Sequence, residues 1–162
     1  MRTVPETLLA PQTQPQVIAD CEKLVDHEVS DMSGVTGAAI RLAYKTVSTF
    51  DSGHIPAMIG TILPSVADAL QPYWASFAAE SAGRGGDFGA YLASREDEVA
   101  ESLLSITDNR QRASSRATIV KAYKTVRGSA VKHVKAALPA LGELVQRYMT
   151  VLPKGAGGTS AT

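Results

Sequence analysis

The sequence contains a single cysteine and no long hydrophobic run. Cys21 alone cannot form an internal disulfide, which is consistent with a reducing compartment. The longest apolar-rich stretch, residues 55–70, contains Pro64 and Asp68, so it does not resemble a membrane span. No apolar run of signal-peptide length stands near the first residue. We therefore predict a cytoplasmic protein without a membrane span.

Motifs that would carry catalysis or bind a cofactor are also missing. No G-x-S-x-G nucleophile motif occurs, and no strand pattern precedes the glycine-rich segment 81–87, so this segment matches no phosphate-binding loop. The three histidines, His27, His54 and His133, fall on three different predicted elements. His27 and Asp31 are spaced to share a metal, yet strong metal motifs contain more ligands. We therefore predict no enzyme activity, no metal and no cofactor.

Alternation of β-branched and polar residues, the pattern typical of strands, is absent as well. Apolar residues recur instead at three- and four-residue spacings, which is typical of amphipathic helices. At 162 residues and 44% apolar content, the chain is long enough for one domain with a sizeable core. The sequence therefore predicts an all-α protein.

The strongest positive feature is an internal repeat. Residues 38–47 (AAIRLAYKTV) and 117–126 (ATIVKAYKTV) share seven of ten residues at a distance of 79 positions. After a four-residue deletion, the match continues at a distance of 75 positions. The later pairs are Leu63 with Leu138, Pro64 with Pro139, Gln71 with Gln146 and Tyr73 with Tyr148. Such a repeat indicates one helical unit that is present twice.

This repeat sets the predicted domain organisation. Repeat 1 covers residues 16–80 and repeat 2 covers residues 88–152, as two tandem three-helix repeats packed into one helical domain over residues 16–152. The proline-containing residues 1–15 are predicted to form an irregular arm. The glycine-rich residues 153–162 are predicted to form a flexible tail.

Glycine and proline mark the predicted helix boundaries. The second helix of each repeat is predicted to end near a glycine, Gly53 or Gly128, because glycine readily adopts the left-handed conformation that follows a helix. Pro64 and Pro139 must either kink the third helix or occupy the first turn of a new one. Both repeats should make the same choice.

Charge is distributed unevenly along the chain. Residues 1–108 contain six Lys and Arg against fifteen Asp and Glu, whereas residues 109–162 contain ten against one. The basic residues within residues 109–135, a stretch without any acid, are Arg110, Arg112, Arg116, Lys121, Lys124, Arg127, Lys132 and Lys135. Such a face could bind nucleic acid or another polyanion. Alternatively, the acidic helices around residues 20–31 and 96–101 lie beside it and neutralise it.

Two pairs of tyrosines occupy equivalent positions in the repeats, Tyr44 with Tyr123 and Tyr73 with Tyr148. Such tyrosines usually pack at the edge of a core, with the hydroxyl group hydrogen-bonded. If the repeats face each other across a pseudo-twofold axis, these side chains could instead line a shared cleft for a small molecule. The sequence leaves both alternatives open.

Three segments, GAAIRLAYKTV, LPSVADALQPYW and FGAYLASREDEVAESLLSITD, resemble an uncharacterised family of small all-helical bacterial proteins, over about residues 20–150. The resemblance implies an all-helical fold and a cytoplasmic location. It assigns no activity, cofactor or catalytic residue.

Together these observations favour a non-enzymatic helical interaction module, which could form a homodimer through an exposed apolar helix face. Polyanion or nucleic-acid binding through residues 109–135 is one alternative. Small-molecule binding in a cleft between the two repeats is another. The sequence does not identify a protein partner.

Overall fold

The computed structural model describes the backbone of residues 3–32, 34–51, 53–80, 86–112 and 117–150. It describes the side chains of these residues except those at positions 36, 47, 110–112, 117–126, 128 and 129. The predicted flexible tail, residues 153–162, lies outside the described residues.

Seven helices and no strand are present in these ranges. They are α1 (Val4–Leu8), α2 (Gln14–Ser30), α3 (Gly34–Phe50), α4 (His54–Glu80), α5 (Phe88–Ser94), α6 (Glu96–Arg112) and α7 (Ala117–Thr150). No helix in the described part is long and apolar enough to span a bilayer. The prediction of an all-α fold is confirmed.

Helix α1 forms inside the segment predicted to be an irregular arm. The Thr3 hydroxyl accepts a hydrogen bond from the Glu6 N–H at 3.2 Å, and the Glu6 carboxylate accepts one from the Thr3 N–H at 2.9 Å. This capping box begins the helix, and Pro5 is tolerated in the first turn because no intrahelical donor is needed there. Val4 and Leu8 are 0% and 2% exposed. Helix α1 is therefore part of the core.

The second helix of predicted repeat 2 does not end at Gly128. Helix α7 passes through this residue, whereas the corresponding residues of predicted repeat 1 form two helices, α3 and α4. A glycine inside a helix costs only about 1 kcal/mol, so packing on either side of it can keep the helix continuous. Repeat 1 has four additional residues at this point, and the His54 N–H donates to the Asp51 carbonyl at 3.1 Å in a turn. The predicted helix end is therefore confirmed near Gly53 and wrong at Gly128.

Pro64 and Pro139 both lie inside continuous helices, α4 and α7. A proline in a helix leaves the carbonyl four residues earlier without its usual donor. Both prolines are exposed, so water can supply a donor on that side and the helix need not end. The two positions make the same choice, as the repeat predicts.

The long helices α4 and α7 organise the core. Helices α1, α2, α5 and α6 each pack against both of them, while α3 packs on α2 and α4. The large side chains with no more than 2% exposure are Val4, Leu8, Val17, Leu70, Phe88, Leu92, Val99, Leu138 and Val145. None of them belongs to the described part of α3. Helix α3 is therefore attached to the core rather than built into it.

Helix α5 crosses α7 where two glycines meet. A Cβ atom on Gly142 would lie 2.4 Å from the Cα of Gly89, and one on Gly89 would lie 2.3 Å from the carbonyl oxygen of Pro139. Both distances are far shorter than a van der Waals contact, which is about 3.5–4.0 Å between carbon atoms. The two backbones therefore touch, and this crossing has no room for a side chain.

Two glutamines fix the short helices to the long ones. Gln71 of α4 accepts a hydrogen bond from the Val4 N–H at 2.6 Å, and Gln146 of α7 accepts one from the Phe88 N–H at 2.9 Å. Val4 and Phe88 begin α1 and α5, and the first N–H groups of a helix have no partner within it. The sequence pairs Gln71 with Gln146, but the pairing alone does not reveal this role.

Candidate functional site

The structure describes the side chains of three of the eight residues in the predicted polyanion-binding face. Arg127 and Lys135 contact acids of α6, and Lys132 is exposed. The remaining five side chains lie outside the described residues: Arg110, Arg112, Arg116, Lys121 and Lys124.

Arg127 binds two carboxylates of α6. Its Nε and Nη2 donate to the two carboxylate oxygens of Asp108 at 3.0 and 2.9 Å, and Nη2 also donates to Glu101 at 3.1 Å. The hydrogen bonds to Asp108 and then to Glu101 raise the pKa of Arg127 above its ordinary value. Lys135 donates to Asp97, and this hydrogen bond raises the pKa of Lys135. At these two positions the basic side chains are therefore paired within the chain.

The tyrosines predicted to line a shared cleft lie between three different pairs of helices. Their hydroxyl partners are Asp26 for Tyr44, Ser102 for Tyr73 and Asp20 for Tyr148. These contacts join α3 to α2, α4 to α6 and α7 to α2. The side chain of Tyr123 lies outside the described residues. The three described tyrosines therefore do not meet in one cleft.

The contact between Tyr148 and Asp20 couples stability to pH. Burial, followed by the hydrogen bond to Asp20, raises the pKa of Tyr148. Burial opposes the ionisation of Asp20, but the hydrogen bonds from Tyr148 and Gln16 outweigh it, so the pKa of Asp20 lies below 3.8. The folded protein therefore favours a neutral tyrosine beside an ionised aspartate.

Replacing Tyr148 with phenylalanine is expected to weaken the pH dependence of stability. The tyrosine contribution is complete below the unfolded pKa of about 10 and is lost as the pH rises through the raised folded value. The Asp20 contribution is complete above the unfolded pKa of 3.8 and is lost as the pH falls through the lowered folded value. Urea midpoints measured from acid to alkaline pH should fall less steeply at both ends in Tyr148→Phe. Identical profiles would contradict this assignment.

Open grooves border Tyr44 and Tyr73. The first, of about 520 Å³, lies between α2 and α3 and is lined by Asp26, Val29, Ser30, Arg41, Leu42, Tyr44, Lys45, Ser48 and Thr49. The second, of about 420 Å³, lies among α4, α5 and α6 and is lined by Ala69, Pro72, Tyr73, Ser76, Glu80, Tyr91, Arg95, Glu98 and Ser102. In the second groove the Arg95 guanidinium already stacks over the Tyr91 ring, 4.1 Å from its centroid.

His27 and Asp31 contact each other on the surface of α2. Their Nε2 and Oδ2 atoms are 3.3 Å apart, and the side chains are 71% and 67% exposed. Within the described ranges, no three or more His, Cys, Asp or Glu side chains converge as a metal site would require. Cys21 is half-buried against the core, and burial raises its pKa to about 11. Its thiol is therefore almost fully protonated at neutral pH and a weak nucleophile.

The sequence pattern does not predict the outward face of α3, which is the exposed side of this helix around Leu42. Across the described part of the chain, the exposed large apolar side chains are Val35 (90%), Leu42 (68%), Phe50 (88%) and Met58 (45%). The first three belong to α3, and Met58 lies near the start of α4. Spacings of seven and eight residues place Val35, Leu42 and Phe50 on one side of the helix.

This outward face lies opposite the half-buried Tyr44 and Ser48, and it carries no charge. Its residues are Val35, Ala38, Ala39, Leu42, Ala43, Thr46, Thr49 and Phe50. The Thr46 and Thr49 hydroxyls each donate at 2.8 Å to the carbonyl four residues earlier, so they are satisfied within the helix. Solvent-exposed helix faces are normally polar and charged. The outward face is thus an apolar strip on the surface.

The sequence pattern predicts that the opposite side of α3 faces a core. Of the stripe Ile40, Ala43, Tyr44 and Val47, the first and third are half-buried, Ala43 is exposed and the Val47 side chain is not described. The prediction is therefore wrong for Ala43. The sequence does contain an indication of the outward face, because Val35, Leu42 and Phe50 make the other side of α3 apolar as well.

Arg41 and Lys45 lie on the flank of α3 that faces α2. Both line the α2–α3 groove together with Asp26. Arg41 donates to the Met32 carbonyl at the end of α2. Leu42 and Thr49 of the outward face line the same groove, so the charges of this flank lie directly beside the outward face.

The comparisons with known proteins give one match. No curated protein and no solved structure matches the chain. The sequence model of a family of unknown function (DUF6918) matches residues 4–149, which extend from the start of α1 almost to the end of α7. The resemblance to an uncharacterised family is thereby confirmed. The chain belongs to DUF6918, a family of unknown function.

Proposed function

We propose that the chain is a non-enzymatic helical interaction module that docks a protein through the outward face of α3. The observation that carries this proposal is the uncharged strip with Val35, Leu42 and Phe50 exposed by 90%, 68% and 88%. Contiguous apolar patches of this kind mark interaction sites on soluble proteins. Burying a large apolar side chain contributes about 1.5–3 kcal/mol, so three such residues favour association strongly.

The packing of α3 supports the same proposal. The helix lies on α2 and α4 and leaves its apolar residues outside the core. Most of the stability of a helix within a protein comes from the packing of its faces rather than from intrinsic helix propensity. Contact with a partner would bury the second side of α3, and the helix would then be held on both sides.

We also propose that the fold consists of two units with one plan, in which α1, α2 and α3–α4 correspond to α5, α6 and α7. Equivalent glutamines, Gln71 and Gln146, bind the first N–H of α1 and α5. Helices α1, α2, α5 and α6 each contact both long helices, as a pseudo-twofold axis between the units would require. In this scheme only the first unit has a separate α3, so the docking face arises where the two units differ.

A charge placed in the middle of the outward face tests the proposed function. Leu42→Asp should weaken docking at least about tenfold, because a central apolar anchor is lost and a carboxylate is brought into the interface. The matched control is Ala75→Asp, which adds the same charge at an exposed position of α4. Circular dichroism checks that both variants fold.

Proteins retained by the tagged chain from extracts of its own cells are then quantified by mass spectrometry. Support requires a set of proteins retained by the wild type and by Ala75→Asp but lost with Leu42→Asp. Equal retention by both variants would reject the outward face as the docking site.

The alternatives from the sequence stay predictions. Polyanion binding through residues 109–135 predicts salt-sensitive retention on heparin that is weakened by Lys132→Glu. Small-molecule binding predicts that a ligand raises the thermal stability of the protein. The cytoplasmic location also stays a prediction.

A further inference from the structure

We propose that the groove between α2 and α3 binds a small molecule that carries a guanidinium group at one end and a carboxylate at the other. This inference rests on the two-unit plan proposed above, because it compares the same place in the two units. It concerns a ligand of amino-acid size, and it does not depend on whether a protein docks on the outward face.

Helices α2 and α6 correspond to each other at a distance of 82 positions. Both contain 17 residues, and the fourth residue of each is a valine that is 0% exposed. Tyr73 and Tyr148 are equivalent in the repeat. Their hydroxyl partners, Ser102 and Asp20, are 82 positions apart as well. The correspondence therefore extends to individual side-chain contacts.

In the second unit, an arginine occupies the place that corresponds to the groove. The distance of 82 positions makes Asp108 the counterpart of Asp26, and the repeat distance of 79 positions makes Arg127 the counterpart of Ser48. The Arg127 guanidinium donates to both carboxylate oxygens of Asp108, at 3.0 and 2.9 Å. Bidentate pairs of this kind are strong and geometrically specific. The second unit thus shows how a guanidinium group binds at this place.

In the first unit, the acid is present and the arginine is replaced by a serine. A groove of about 520 Å³ lies beside Asp26 and Ser48, within the range of about 300–1,000 Å³ that is typical of ligand sites. The Asp26 carboxylate accepts a hydrogen bond from Tyr44, but within the described part of the chain it forms no ion pair. A carboxylate has about four lone-pair sites, so Asp26 can also accept from a guanidinium group.

The cations in the groove determine the other end of the ligand. Arg41 and Lys45 line the groove together with Asp26. Arg41 donates to the Met32 carbonyl, six positions beyond Asp26 or about 9 Å along the helix direction, so its guanidinium is engaged elsewhere. Lys45 forms no ion pair with a described residue. Because Lys45 would repel a ligand with only a positive charge, the favoured ligand also carries a carboxylate that binds the Lys45 ammonium group.

Titration of the isotope-labelled full chain with L-arginine, followed by NMR chemical shifts, tests the site. L-Arginine carries both groups, citrulline has a neutral group in place of the guanidinium, and agmatine lacks the carboxylate. L-Arginine should bind with a Kd of about 0.1–1 mM, because the groove is open to water, and both analogues should bind about tenfold more weakly. No binding of L-arginine up to about 10 mM, or equal binding of either analogue, would overturn the proposal.

Three variants test the residues that hold the guanidinium group. Asp26→Asn should weaken the binding of L-arginine at least about tenfold, because the carboxylate partner is lost. Ser48→Arg should weaken it as much, because the new side chain would occupy the site from within the protein, as Arg127 does in the second unit. Glu143→Gln, which removes the same charge from an exposed position of α7, should leave the Kd unchanged. Undiminished binding by Asp26→Asn or by Ser48→Arg would contradict the site.

Stability measurements separate this inference from the two-unit plan. If the plan is correct, Ser48→Arg should raise the urea midpoint of the wild type but not that of Asp26→Asn, because the new ion pair needs the acid. That result without binding of L-arginine to the wild type would overturn the ligand site and leave the plan supported. An unchanged midpoint together with no binding of L-arginine would reject both.

Discussion

Gly142→Ala is expected to lower the free energy of unfolding by about 3 kcal/mol, at the upper end of the range for overpacked sites. The methyl group would lie 2.4 Å from the Cα of Gly89, so α5 and α7 would have to separate. Separation would disturb the hydrogen bond between Gln146 and the Phe88 N–H, which is formed at the same crossing. Chemical denaturation followed by circular dichroism measures the loss.

Gly60→Ala is the matched control for this prediction. Gly60 also lies inside a long helix, but a Cβ atom there would meet only Ile18 Cδ1, at 3.4 Å, which a small side-chain shift accommodates. Alanine is favoured over glycine inside helices by about 0.5–1 kcal/mol, so this variant should be slightly more stable than the wild type. A neutral Gly142→Ala, or equal losses in both variants, would contradict the close crossing.

Phe88→Ala is expected to cost about 3–5 kcal/mol, the range for removing a large aromatic side chain from a core. Phe88 is 0% exposed, and its ring lies 5.1 Å from Trp74 and 5.3 Å from Phe77. Removing it would leave a cavity between α4, α5 and α7 and would take away the ring contacts with Trp74, Phe77 and Tyr91. The midpoint of urea unfolding should fall accordingly.

Phe50→Ala removes the same atoms from a side chain that is 88% exposed. Its effect on the stability of the dilute protein should stay within about 0.5 kcal/mol, as for other surface substitutions. The same variant should weaken docking through α3. Phe88→Ala thus tests stability, and Phe50→Ala tests association. Equal destabilisation by the two substitutions would mean that α3 is part of the core.

The fold class and the repeated residues could be predicted because they depend on local patterns. Helical spacing and the shared AYKTV segments are visible without any long-range contact. The boundaries at α1 and Gly128 could not be predicted in the same way. The T-x-x-E capping box that begins α1 is present in the sequence, but its significance depends on the burial of Val4 and Leu8 by distant helices. Likewise, whether Gly128 ends a helix depends on what packs beside it.

The outward face could not be identified from periodicity alone because α3 is apolar on two sides. Ile40 and Tyr44 indicate one inward direction, and Val35 and Leu42 indicate another. In the structure, the side with Ile40 and Tyr44 faces inward. Two contacts hold it there: the Tyr44 hydroxyl donates to Asp26, and Gly37 packs closely on Met32. Which apolar side of α3 packs inward therefore depends on contacts that exist only in the folded protein.

The short break between α3 and α4 also affects how the protein can move. Helix α3 contributes none of its described side chains to the fully buried core, so its hydrogen bonds can open without unfolding the other helices. Amide protons in α3 would then exchange with solvent at a lower free-energy cost than those of α4 and α7. Helix α3 can therefore adjust its position to a partner, while the conformational entropy lost in that adjustment is confined to one segment of the chain.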